Sequence, residues 1–189
     1  MEGLAGVLSA FGLSVSAGLN AYLPLLVVAL VARFTNWINL SPPWDALESW
    51  WVIGALLVLG LVEFFADKVP AVNHANDILQ TFVRPVAGAI LFASSAHVVS
   101  DLHPVIAVIA GLLVAGSVHV VKSAAIRPAV TATTAGTGNV PVSIAEDVVA
   151  TVLSILSVVV PVLIAALIIV VTAYIVWLLW RRARREQSA

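Results

Sequence analysis

"SVSAGLNAYLPLL", Ser14 to Leu26, interrupts the first apolar run of the chain, and the path of the backbone through it decides the fold. Three of its residues oppose a regular helix. Gly18 does so by its backbone freedom, Asn20 by competing for main-chain hydrogen bonds, and Pro24 by lacking an N–H. The surrounding run extends from Leu4 to Arg33, too long for one untilted crossing of a ~30 Å hydrocarbon core, which takes ~20 helical residues. The expectation is a first span kinked or unwound near Asn20.

Composition agrees that a bilayer is the solvent. Of 189 residues, 61% are hydrophobic and 10% charged, against roughly 25% charged in soluble domains. Glu2 is the only early charge, so no removable signal is expected. Cysteine is absent, which excludes disulfides and thiolate metal sites. A single integral membrane domain over residues 1–189 is expected, all-α, with about six transmembrane helices and a basic cytoplasmic tail at 181–189. After span one, the spans fall at about Trp50 to Asp67, Asp77 to Ser100, and Val105 to Ala124. The block from Ser143 to Trp180 would be roughly 57 Å long as one helix at ~1.5 Å per residue, so Pro161 is expected to separate spans five and six. Pro85, inside span three, is a further expected interruption.

Charge orients these spans, because Lys and Arg accumulate in short cytoplasmic loops. Six spans bring Lys68, Arg84, Lys122, Arg127 and the tail "RRARR" (Arg181 to Arg185) to one side. The chain is accordingly expected to be multi-pass in the plasma (inner) membrane, with both termini cytoplasmic. Trp37, Trp44, Trp50 and Trp51 then mark the outer interface and Trp177 and Trp180 the inner one.

The second interruption is "TTAGTGN", Thr133 to Asn139, followed by Pro141. It resembles Ser16 to Asn20 followed by Pro24, and a true duplication would fit transporter folds in which broken helices at matching places form the substrate site. Non-helical backbone at membrane depth must be buried in protein or reached by water. The stretch is therefore either a capped cytoplasmic loop or a segment folded against Asn20 around a shared polar cavity. Ser143 to Glu146 matches the S-x-x-E capping box, and Asp147 suits a helix N-terminus. Without a following Lys-Ser or Lys-Thr the glycines are no phosphate loop.

Glu63 stands apart, since a regular helix from Trp50 leaves it inside the hydrocarbon. Asp67 follows one turn later on the same face, where like charges repel. A cation must bridge them or Glu63 must hold a proton. An ion-pair network that only fixes helix order satisfies the same residues. The candidate solute or ion site is drawn from Asn20, Glu63, Asp67, Arg84, Arg127, Thr134, Asn139, Glu146 and Asp147. His97 and His119 lie in spans and His74 and His103 in loops, without zinc-ligand spacing, so no metal or other cofactor is expected. Small-residue spacings such as Gly111 with Ala115 allow close helix packing.

Three stretches together, "AGLNAYLPLL", "VEFFADKVPAVNHANDILQTFVRPVAGAILFAS" and "ATTAGTGNVPVSIAEDV", resemble the bacterial integral-membrane family called domain of unknown function four-one-two-six. The resemblance covers nearly the whole chain. Its pattern of a proline after span two, an aspartate before span three and a T-T-G-G-x-G-N-P-like loop falls on Pro70, Asp77 and Thr133 to Pro141. Ala135 stands where that pattern has glycine, and Val140 separates asparagine from proline. The resemblance implies a compact helical membrane fold and brings no activity.

Two functions fit. One is a small transporter or channel-like protein for an ion or small polar or anionic solute. The other is a non-catalytic scaffold or accessory subunit. No catalytic constellation appears, so an enzyme is not expected. The expected partners are membrane lipid and either a homo-oligomer or a larger membrane complex through small-residue helix faces; nucleic acid is not one.

Overall fold

A computed structural model describes residues 2–68, 70–96 and 102–186; His97 and Asp101 lie outside these. The described residues form helices α1 (Glu2–Leu19), α2 (Tyr22–Phe34), α3 (Trp50–Ala66), α4 (Pro70–Ala96), α5 (Pro104–Val121), α6 (Arg127–Thr134), α7 (Asn139–Val159) and α8 (Pro161–Glu186), with no strand among them. Asn76–Ser95, Pro104–Thr134 and Asn139–Val159 are long and apolar enough to cross a membrane, and Gly6–Leu19, Tyr22–Phe34 and Trp50–Ala66 are shorter apolar helices. Val160 alone separates α7 from α8 ahead of Pro161, where a break was expected.

The Asn20 break is a reversal. Along α1, Phe11 meets Phe92, Ser14 donates to the Gly88 carbonyl and Gly18 accepts from Arg84, so α1 and α4 are antiparallel. Ser16 bonds Ser154 and Asn20 bonds Asp147, which makes α1 antiparallel to α7 as well. α2 leaves Asn20 in the other direction: Tyr22 lies by Gly60 and Phe34 by Trp50. The turn Trp44–Glu48 that follows then packs Trp44 back beside Ala10, Phe92 and Ala107. The run from Leu4 to Arg33 is thus two antiparallel arms with Asn20 at the tip, not a single kinked crossing.

Two further expectations change. Pro85 does not interrupt α4, which runs unbroken from Pro70; its membrane-length segment, Asn76–Ser95, begins beside the expected span start at Asp77. The proline ring faces Gly116, the side of α5 with no Cβ to obstruct it. Helix α7 begins at Asn139, not Ser143, with Pro141 in its first turn, where a missing N–H costs nothing. Ser143 and Glu146 are therefore inside a helix, and the expected capping box does not form. Between α5 and α6 the helix widens into a π turn over Lys122–Ile126, closed by the Arg127 N–H on the Lys122 carbonyl. Pro128, which has no N–H to give the ladder, follows immediately.

Small residues carry the close crossings. A Cβ on Gly111 would lie 2.3 Å from the Gly88 carbonyl oxygen, and one on Gly18 would lie 2.5 Å from the Val118 Cβ. Helices α1, α4 and α5 approach backbone to backbone at these points. The small-residue faces are thereby used within the chain.

Candidate functional site

The reversal at Asn20 strands main-chain groups in the interior, and four of them receive a polar side chain. The Asn20 Oδ1 accepts from the Tyr22 and Leu23 N–H groups, both at 3.0 Å, which caps α2. Its Nδ2 donates to Asp147 Oδ1 at 3.0 Å. At the other side of the break, Arg84 Nη1 donates to the Gly18 carbonyl at 3.5 Å and Lys122 Nζ to the Leu19 carbonyl at 2.9 Å. Cations thus sit at the C-terminal end of α1, and a carboxylate stands beside the N-terminal end of α2. Both signs match the helix dipoles.

Those side chains are linked through a layer of buried ion pairs. Arg84 Nη2 donates to Glu63 Oε1 at 2.9 Å, and the two side chains are 0% and 1% exposed. Lys122 meets Glu146 at 2.8 Å. Arg127 joins Asp67 at 3.0 Å, Glu146 at 3.2 Å and Asp77 at 3.8 Å. Lys68 pairs with Asp147 at 3.5 Å on the more exposed rim. In a regular helix Lys122 and Arg127 would point well apart, five residues being 500° of rotation at about 100° each. The π turn brings them toward one side, so that both reach Glu146.

His119 completes the layer on α5. Arg84 can only donate, so its contact with Nδ1 at 3.2 Å makes that nitrogen the acceptor and places the proton on Nε2. Nε2 then donates to Thr81 Oγ1 at 3.1 Å, and Thr81 donates to the Asp77 carbonyl at 2.8 Å. The histidine is a helix-to-helix hydrogen bond, as a lone intramembrane histidine should be. Among the described residues no group of His, Asp and Glu converges as metal ligands would.

Of the residues expected at a site, Asn20, Glu63, Asp67, Arg84, Arg127, Glu146 and Asp147 are brought together. Thr134 and Asn139 are not. Thr134 Oγ1 donates to the Val130 carbonyl at 2.7 Å and accepts from the Gly138 N–H at 2.9 Å, and Asn139 bonds Thr131. Thr133 and Thr137 are exposed. The expected cavity shared by Asn20 and Asn139 is therefore replaced by a locally closed turn. Asn20 instead meets α7 two turns beyond Asn139, at Asp147. Ser143 donates to Asp67 at 3.5 Å and Asn76 to Asp67 at 2.7 Å. Neither was expected here; Asn76 could have been found from its place one residue before Asp77 on the polar face that also holds Gln80 and Arg84.

Some polar atoms of the layer have no hydrogen-bond partner: Glu63 Oε2, Asp77 Oδ1, Gln80 Oε1, Glu146 Oε1 and Arg84 Nε. Four are acceptors and one is a donor. The imbalance favours binding of a positive species.

The family model described as Domain of unknown function (DUF4126) matches residues 7–181. No curated protein and no solved structure matches the chain.

Proposed function

The chain belongs to this family of unknown function, so its activity has to be read from its own residues, and from them we propose a small membrane transporter or channel-like protein for an ion or small polar solute. The observation that carries the reading is the α1–α2 hairpin, whose tip at Asn20 is 2% exposed and set among ionised side chains. Broken helices ending in the protein interior present main-chain dipoles to a polar species, the arrangement from which transporter sites are made. Burying this many charges is costly, and their mutual pairing alone is weak support for stability. The scaffold reading was motivated by small-residue faces, and those at Gly18, Gly88 and Gly111 are spent between α1, α4 and α5.

Flux in proteoliposomes tests the proposal. Purified protein should pass at least one of protons, sodium, potassium, chloride or phosphate above the rate of empty vesicles, and Asn20→Ala should reduce that flux at least tenfold while remaining monodisperse in detergent. Wild-type vesicles no leakier than empty ones to every member of the panel would overturn it.

The proposed orientation in the inner membrane follows from the hairpin. α1 and α2 enter and leave by one face, α3, α4, α5 with α6, α7 and α8 cross in alternation, and the arginine tail lies in the cytoplasm. The N-terminus is then external, in place of the cytoplasmic position that a single first crossing would require. The chain has no cysteine, so Gly3→Cys and Ser188→Cys can be labelled singly with an impermeant maleimide on intact cells or spheroplasts. Labelling at position 3 alone is expected; equal accessibility of both would refute the hairpin topology.

A further inference from the structure

Two acceptor oxygens of the layer, one on Glu63 and one on Gln80, are buried without a hydrogen-bond partner. Glu63 accepts from Arg84 through Oε1, while its Oε2 is buried and has no partner. Gln80 is 2% exposed and its Oε1 likewise has none. Gln80 precedes Arg84 by one turn of α4, on the same face, so it stands beside the group that holds Glu63. Two buried acceptors that cannot bond each other each carry a desolvation cost.

We propose that Glu63 is a proton-binding site, loading a proton on Oε2 with the Gln80 carbonyl oxygen as the acceptor of the new O–H. This deepens the transport reading and rests on it, because it makes the proton the transported or coupled ion. One proton supplies the one donor that both oxygens lack. A hard cation such as Ca²⁺ or Mg²⁺ takes about six oxygen ligands or more, and this corner offers fewer. The step is a proton transfer: hydronium gives up one O–H bond and is left as water, Glu63 Oε2 gains that O–H bond, and Arg84 is left facing a neutral carboxyl group. Arg84 also donates to the Gly18 carbonyl through its other terminal nitrogen, so loading Glu63 weakens the ion pair that positions this guanidinium at the hairpin tip. The charged and titratable groups around Glu63 are Arg84 on α4, Tyr22 on α2, Asp67 one turn on in α3, and Lys122 in the π turn. His119 on α5 contacts Arg84 from its far side.

Infrared difference spectroscopy of the protein in proteoliposomes, taken across a pH titration, reads the carboxyl directly. A protonated-carboxyl C=O band should appear in the wild type as pH falls and be lost in Glu63→Gln. Gln80→Leu leaves the Arg84 pair in place and removes the acceptor, so the band should remain and shift to higher frequency. A band that persists in Glu63→Gln, one unshifted in Gln80→Leu, or a wild type with no titrating band would overturn the assignment. So would a band displaced by sodium at constant pH. The infrared readout does not require transport: an intact Glu63 band in a protein without flux would remove the transport reading and leave the site, and flux unaltered by Glu63→Gln with no such band would do the reverse.

Discussion

At Asn20 the amide oxygen takes two main-chain N–H groups while its nitrogen reaches a carboxylate on another helix, and cations from α4 and from the π turn take the carbonyls of α1. At Ala135 to Gly138 every bond is made within a few residues. The Gly136 N–H reaches the Thr131 carbonyl, the Asn139 N–H reaches Gly136, and Thr134 closes the turn. The two stretches use nearly the same residue types: small residues, a glycine, an asparagine, then a proline. Their environments separate them. Asn20 is 2% exposed where α1, α4, α5 and α7 meet, whereas the second turn is largely exposed and satisfies its own groups locally. A break in a helix becomes a tertiary junction only where no solvent competes for its main chain.

The largest effect should come from removing a cation at the buried break. Arg84→Met leaves Glu63 charged and unpaired in the interior and frees the Gly18 carbonyl, which should cost about 3–5 kcal/mol, the range for breaking a buried pair. Thermal unfolding in detergent should detect it as a large fall in midpoint or a failure to purify as a monodisperse species. Replacing both partners, as Arg84→Met with Glu63→Leu, should recover most of the loss, because no lone charge then remains. A double variant as unstable as the single one would mean that the Gly18 contact, not the ion pair, holds the break.

The two asparagines give the direct comparison. Asn20→Ala removes the cap of α2 and the bond to Asp147, and a lost cap alone costs about 0.5–2 kcal/mol. Asn139→Ala removes only exposed bonds to Thr131, so its change should stay within about 0.5 kcal/mol. Denaturant or thermal titration of the two variants side by side would settle the order. Equal losses would show that the outer turn is also a tertiary junction.

Much of this arrangement was legible in the chain. Glu63, Asp67, Arg84, Arg127 and Glu146 had to meet, since charges buried singly in hydrocarbon cost several kcal/mol each. The break at Asn20 could be read as well, but not its direction. A kink and a reversal use the same Gly, Asn and Pro, and the choice falls to residues far away, such as Gly88 and Asp147, that receive the returning arm. The start of α7 was misplaced because S-x-x-E reads as a cap only if nothing else claims its serine, and Asp67 claims Ser143. Lys122 was visible as a cation, yet its alignment with Arg127 depends on the π turn, a backbone event without a periodic signature.

An effect of the opposite sign should come from the residue that ends α6. Ala135 adopts φ 51° and ψ 32°, the left-handed conformation, and Gly136 follows with φ 87°. A Cβ in that conformation crowds the following carbonyl at a cost of roughly 1–2 kcal/mol, whereas glycine has none to crowd. Glycine is also the usual residue where a helix closes this way. Against the relief stands the larger entropy that glycine gives the unfolded chain, of the order 0.4–1 kcal/mol. Ala135→Gly should therefore stabilise the protein by about 0–1.6 kcal/mol, seen as a small rise in unfolding midpoint. Because the turn is exposed and its bonds are local, flux and the Glu63 infrared band should be unchanged. A loss of either in Ala135→Gly would tie this turn to the buried layer and remove the distinction between the two breaks.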